Sequence, residues 1–289
     1  MHSVDLSMGT IDYEDTGGPG PVLVLLHGVA MDGSVWRPVV DDLRSHHRCI
    51  VPTLPLGSHR HPMHPEADLT LRGYGAIVAE LLEALDLDDV VLVQNDHGAA
   101  LAAAVDHPER VGRLVVSSCE AFDNYPPGLP GKNLRLASFV PGVLGLAMQT
   151  MRLGVVRRSP IGMGWMAKHP LPDDLVDGWL APVQTDPDVR ADLARYARGA
   201  RKRQLVELCD RLGEFERPVL VVWTPEDRVQ RPEHGRRLAE TFPDARLVEI
   251  EDSYTLIMRD QPAAFATAIR DFVAETDGSR SSQAAGARG

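Results

Sequence analysis

Cysteine is scarce in this chain of 289 residues: Cys49, Cys119 and Cys209 are odd in number and contain no C-x-x-C pair. A disulfide framework and zinc-type spacing are therefore excluded, and a reducing, cytoplasmic setting is the expectation. Basic runs are equally scarce. The longest is Arg201-Lys202-Arg203, which reads as a solvated helix face, and the formal net charge is −11 with a pI near 5.4. Nucleic acid and anionic membrane surfaces are not expected as partners of so acidic a chain. No basic region followed by an apolar stretch opens the sequence. The most apolar later run, residues 139–148, is short and broken by Pro141, Gly142 and Gly145, so neither a targeting nor a spanning segment is read.

What is present is an ordinary globular composition, 44% hydrophobic and 25% charged, long enough for one large α/β domain with an insertion. Residues 4–7 and 10–15 read as a hairpin around Met8-Gly9 at a sheet edge. Residues 22–26 form a continuous apolar run typical of a strand buried on both faces, stopping at His27-Gly28. An amphipathic helix over 36–44, a strand over 49–52 and a helix over 71–85 follow, setting an alternating βα rhythm. His59, His61 and His64 lie between them in a Pro-rich segment, 53–68, that reads as a solvated loop rather than a metal site. Strands are expected over 114–117, 218–223 and 246–250, with a closing helix over 262–275.

The most informative stretch is 90–102: four apolar residues, then Gln94-Asn95-Asp96-His97-Gly98, then an Ala-rich run. It reads as a buried strand ending in a tight turn that opens directly into a helix. A carboxylate at the tip of such a turn can attack carbon or take a proton, although an Asp between strand and helix can also serve as a plain N-cap. From about residue 121 to 217 the rhythm stops. Helical pieces carrying Met148, Met151, Met163, Trp165, Met166 and Trp179 are interrupted by Pro and Gly, as in an inserted cap over a pocket.

His27-Gly28, the turn Asn95-Asp96-His97-Gly98-Ala99, the helix exit His107 to Val111, and Asp227 just past a strand together resemble the α/β hydrolases over residues 4–275. The resemblance implies a mostly parallel eight-stranded sheet flanked by helices with an inserted helical lid: a core of residues 1–120 and 218–275, a lid of 121–217, and a disordered tail of 276–289. An Asp at the elbow is similar to the epoxide hydrolase and haloalkane dehalogenase branch, in which that aspartate is alkylated and the ester then hydrolysed. Three positions depart from the branch. Thr255 stands in the place of the catalytic histidine, Gln94 replaces a small residue before the Asn-Asp pair, and Val29 and His97 replace the halide-binding pair.

On this pattern Asp96 is the candidate base or nucleophile, Asp227 and Glu120 are candidate acids, and His97 is the candidate substitute for the missing imidazole. The backbone N–H groups of Val29 and His97 are the expected oxyanion hole. Trp36, Tyr125, Tyr254 and Thr255 are candidate pocket residues. No cofactor or metal is expected, and the partner is a small organic molecule, sizeable and largely hydrophobic, bound by a monomer or homodimer. Without a water-activating histidine, an ester on Asp96 would turn over slowly. The expectation is therefore non-hydrolytic acid/base chemistry (addition, elimination or carbon–carbon bond formation), plausible in natural-product or antibiotic biosynthesis. The alternatives are a hydrolase using Asp96 as nucleophile and a catalytically silent binding protein.

Overall fold

The computed structural model describes residues 1–286, with 279–286 described as helical backbone alone. Eight strands form one sheet in the order β1-β2-β4-β3-β5-β6-β7-β8. The edge is the expected hairpin, β1 (His2–Leu6) and β2 (Gly9–Asp15), paired antiparallel from His2↔Tyr13 to Leu6↔Gly9. The remaining strands run parallel: β3 (Val22–Leu26), β4 (Arg48–Thr53), β5 (Val90–Asp96), β6 (Val111–Cys119), β7 (Val219–Trp223) and β8 (Ala245–Glu249). Every residue of β5 and β6 is buried, which explains why their central residues, 90–93 and 114–116, are apolar without alternation. Each fully buried Val or Leu contributes about 1.5–3 kcal/mol, so these strands anchor the fold and hold their carboxyl ends still.

Strand order determines where the helices lie. The chain steps one way from β3 through α1 (Arg37–Leu43) to β4, and the opposite way from β4 through α2 (Leu71–Ala84) to β5 and through α3 (Ala99–Asp106) to β6. Right-handed crossovers then put α1 on one face and α2 and α3 on the other. The reversal lies between β3 and β5, and ligands of open α/β sheets bind outside the carboxyl ends at such a reversal. Both turns singled out in the sequence, His27-Gly28 and Asp96-His97, sit there.

Between β6 and β7 the chain forms α4 (Gly128–Ser138), α5 (Val143–Thr150), α6 (Gly154–Arg157), α7 (Asp173–Thr185), α8 (Pro187–Gly199) and α9 (Lys202–Cys209). After β7 come α10 (Pro232–Thr241), α11 (Ile257–Asp260) and α12 (Pro262–Gly286), the last packed on α1. No described helix is long and apolar enough to cross a membrane.

Three expectations are corrected. The helix expected from residue 36 begins as a 3-10 turn, Gly33–Trp36, capped by Asp32, so that Trp36 turns inward onto Phe265 with ring centroids 5.7 Å apart. The His- and Pro-rich loop is not solvated along its length. Its first half is buried under the lid, where His59 Nε2 lies 3.2 Å from Asp192 and the Ser58 hydroxyl donates to the Trp179 carbonyl at 2.7 Å. Its three histidines have three different partners, His61 facing Asp12 and His64 the Ser7 carbonyl. Finally, the disordered tail does not begin at 276. The closing helix continues to Gly286, and buried Arg113 holds it just past 275 through Thr276 at 3.2 Å and Asp277 at 2.6 Å; only 287–289 of the expected tail lie outside the described residues.

Candidate active site

Asp96 ends β5 with φ +65°, and the next N–H, that of His97, donates back to the Asn95 carbonyl at 2.8 Å. This is a γ-turn, a strained conformation that a non-glycine residue adopts at a cost of about 1–3 kcal/mol. The neighbours enforce it. Gln94 ties the turn to the helix behind it, donating to the Asn95 carbonyl at 2.8 Å and accepting from the Ala100 N–H at 3.0 Å. Asn95 reaches the Thr255 carbonyl at 2.7 Å and the Ser117 carbonyl at 3.1 Å. Opposite, Gly28 leaves room for the carboxylate: a Cβ there would fall on the Asp96 side chain. His27 holds the facing loop, its Nδ1 2.7 Å from the Gly28 carbonyl and its Nε2 accepting from the Leu54 N–H at 2.8 Å. Burial lowers its pKa to about 4, so the imidazole is neutral.

The Asp96 carboxylate accepts from the Val29 N–H at 3.1 Å on one oxygen and from the Gln230 amide at 3.2 Å on the other. Burial raises its pKa to about 6 against the opposing pull of those two donors, so at neutral pH it is an anion only slightly reluctant to be one. Glu120 follows β6, and its N–H donates to the Asp96 carbonyl at 2.8 Å. Burial, and after it the neighbouring Asp96 charge, push Glu120 well above the carboxylate range, although the Tyr196 hydroxyl, 3.3 Å from its Oε1, works the other way. Two adjacent carboxyls thus take opposite states, one ionised and one protonated.

Both face a cavity of about 170 Å³ between core and lid. Val29, Ala30 and Val229 close it from the core; Tyr125, Leu134, Arg135, Tyr196 and the thioethers of Met148, Met151, Met163 and Met166 close it from the lid. Its size is close to that of an apolar cavity of about 150 Å³ known to hold benzene. No histidine lines it among the described residues.

The structure brings Asp96, Glu120, Val29 and Tyr125 to this cavity and leaves the other candidates off its wall. The His97 imidazole is fully buried between Tyr74 and Tyr196, at 4.9 and 5.2 Å between ring centroids, and its Nδ1 accepts from the Ala99 N–H at 3.2 Å. With its lone pair used on the helix and burial pulling its pKa to about 3, it cannot act as a base. Nor are two oxyanion donors free: the Val29 N–H holds Asp96 itself and the His97 N–H closes the γ-turn. Trp36 belongs to the core. Tyr254 lies beneath the Arg228 guanidinium, 4.6 Å from its ring centroid.

Thr255 takes the place beside the acid, its hydroxyl donating to Asp227 at 2.8 Å. Asp227, raised to about 6 by burial, also accepts from the N–H groups of Val229 and Gln230 at 2.8 and 2.9 Å. It therefore shapes the turn that delivers Gln230. Gln230 in turn accepts from Asn124 at the start of the lid, 3.0 Å away. Gln230, Asn124 and Tyr196 escaped the sequence reading. No motif marks them, although the placement of Gln230 three residues after Asp227 was a signal available in retrospect.

An aspartate elbow at the reversal of a parallel sheet, roofed by a helical insertion, defines an α/β-hydrolase-type enzyme scaffold. The chain belongs to the Alpha/beta hydrolase family, whose profile matches residues 23–268. Among its relatives, Haloalkane dehalogenase 2 of Mycobacterium tuberculosis is 27% identical over 279 residues, 92% of each chain. The cis-3-alkyl-4-alkyloxetan-2-one decarboxylase of Xanthomonas campestris pv. campestris is 26% identical over 282 residues, 91% of this chain and 92% of that one. A solved thermophilic esterase from Thermogutta terrifontis superposes with a TM-score of 0.73 at 22% identity, covering 96% of this chain and 99% of its own, and shares the fold.

Proposed function

We propose that this protein carries out non-hydrolytic acid/base chemistry on a small, uncharged, largely apolar molecule. Asp96 takes a proton from an acidic C–H, and the electron pair moves onto a carbonyl oxygen that receives a hydrogen bond from protonated Glu120. The observation that carries this reading is a buried carboxylate pair in an apolar cavity with no imidazole on its wall, Thr255 standing against Asp227 instead. The cavity also argues for a neutral substrate: its one guanidinium, Arg135, is engaged by the carbonyls of Ala197 and Ala200. Nearly equal similarity to a dehalogenase and a decarboxylase is compatible with more than one reaction type on this scaffold.

A second reading, alkylation of Asp96, is favoured by the way both carboxylate oxygens are held and aimed. The two are separated by incubating the protein with small apolar ketones in deuterated water and, separately, with haloalkanes and epoxides. The expected result is deuterium entering the ketone at a rate that falls about 10²–10⁴-fold in Asp96→Asn. A stable mass adduct on Asp96, or solvent oxygen-18 in the product, would establish the nucleophilic route instead. Neither exchange nor adduct, with ligand still bound, would leave a binding protein.

A further inference from the structure

The first part of the lid, residues 124–172, is rich in exposed apolar side chains and carries no acid. Apart from Met1, every large hydrophobic side chain exposed among the described residues lies between Leu129 and Ile161, including Leu136 at 70%, Leu146 at 66% and Val155 at 80% exposure. So many exposed apolar residues concentrated in one segment, with Phe139, Val140 and Leu146 brought together on a single groove, mark an interaction site. No Asp or Glu occurs from Asn124 to Pro172, although the whole chain has 41. Lys132 is exposed there. Arg152, Arg190 and Arg198, from the lid, donate to main-chain carbonyls or to Gln184 rather than to carboxylates. Arg157, Arg158 and Lys168 are neutralised by Asp173, Asp177, Glu226 and Asp252, and Asp186 and Asp188 stand at the start of α8. A groove between α4, α5 and α8, lined by Phe139, Leu144, Leu146, Arg190 and Arg198, continues the surface.

We infer that this face docks the protein on an anionic phospholipid surface, with Leu136, Phe139, Leu146 and Val155 entering the interface and the unpaired cations meeting lipid phosphates. An amphipathic surface with an apolar centre and a cationic fringe has the composition that binds such membranes, and its short helices lie on a bilayer rather than cross it. A second copy of the chain is a poorer occupant: a two-fold contact through this face would bring two cation-bearing surfaces together with no carboxylate from residues 124–172 to pair them. The whole-chain charge conceals the site, because screening limits what the lipid feels to the nearest ten ångströms or so. The same helices line the cavity on their inner side, so an apolar molecule could pass from bilayer to Asp96 without crossing water. The docking is independent of the reaction the site performs.

The test is flotation of the full-length protein with vesicles of equal parts phosphatidylcholine and phosphatidylglycerol, with phosphatidylcholine alone, and with the anionic vesicles in high salt. Binding is expected to the anionic vesicles only, weakened by salt, and reduced about tenfold or more in Leu136→Asp/Leu146→Asp with an unchanged melting temperature. Should that variant misfold, Lys132→Glu/Arg198→Glu, altering exposed cations alone, is expected to show the same loss. Absence of flotation, or equal binding to phosphatidylcholine alone, overturns the proposal. So does a doubled solution mass that the same substitutions abolish, which would assign the face to a second copy.

Discussion

At the scale of single residues, the site is governed by what burial does to Asp96. Folded, this carboxyl keeps its proton up to about pH 6; its ordinary value is 3.8. Between those values the native state binds more protons than the unfolded one, so stability falls as pH rises from about 4 to about 6 and stays lower above. Two units correspond to about 3 kcal/mol. Asp96→Asn, which cannot ionise, should therefore melt higher than the parent at pH 8 and the same at pH 3.5. An equal gain at both would show that charge is not the cause. The Gln230 amide works in the opposite direction, holding the anion at 3.2 Å. In Gln230→Leu the acid limb of kcat/KM against pH, expected near pH 6 in the parent, should move upward; a loss of kcat with an unmoved midpoint would reduce Gln230 to a packing role. Asp96 itself was legible in the sequence because a strand-turn-helix is a local pattern. Gln230 was not, because its contact with Asp96 spans 134 positions.

At the scale of elements, the elbow is positioned by helix packing behind it. α3 carries the Ala-rich run after Gly98 and lies against α2, where Gly75 meets Ala102 closely: a Cβ on Gly75 would come 2.8 Å from the Ala102 Cβ and 3.0 Å from the Ala103 N. Gly75→Leu should therefore overpack this interface and cost about 1–3 kcal/mol, read as a lower urea midpoint. A parent-like midpoint would mean that α3 can shift without penalty. The strands themselves were readable, since burial on both faces leaves a continuous apolar run. His97 and the loop bearing His59 were misjudged for one reason: sequence adjacency says nothing about which way a ring turns, and Tyr74 and Tyr196 enclose one imidazole while Asp192 engages the other.

For the whole molecule, the C-terminal helix is more than an appendage. Arg113, 3% exposed at its side chain, is met by Thr276 and Asp277 from α12, across 163 and 164 positions. Ending the chain after Glu275 removes these two partners, leaving the buried cation with Asp89 at 3.8 Å and the Val273 carbonyl, and should cost about 1.5–3 kcal/mol by urea unfolding, whereas ending it after Gly278 should cost little. Equal stability of the two truncations would return this segment to the status of a tail.

The amino-acid sequence by itself determined the parallel sheet, the aspartate elbow, the insertion over it and the absence of a histidine at position 255, because each depends on short-range periodicity, turn chemistry or residue identity. Only the tertiary structure decided which groups could act. Whether a carboxyl is ionised, an imidazole basic or a backbone N–H free depends on desolvation and on hydrogen-bond partners brought from distant parts of the chain. Those interactions placed Asp96 and Glu120 together in an apolar cavity, and Asp227, Thr255 and His97 behind it.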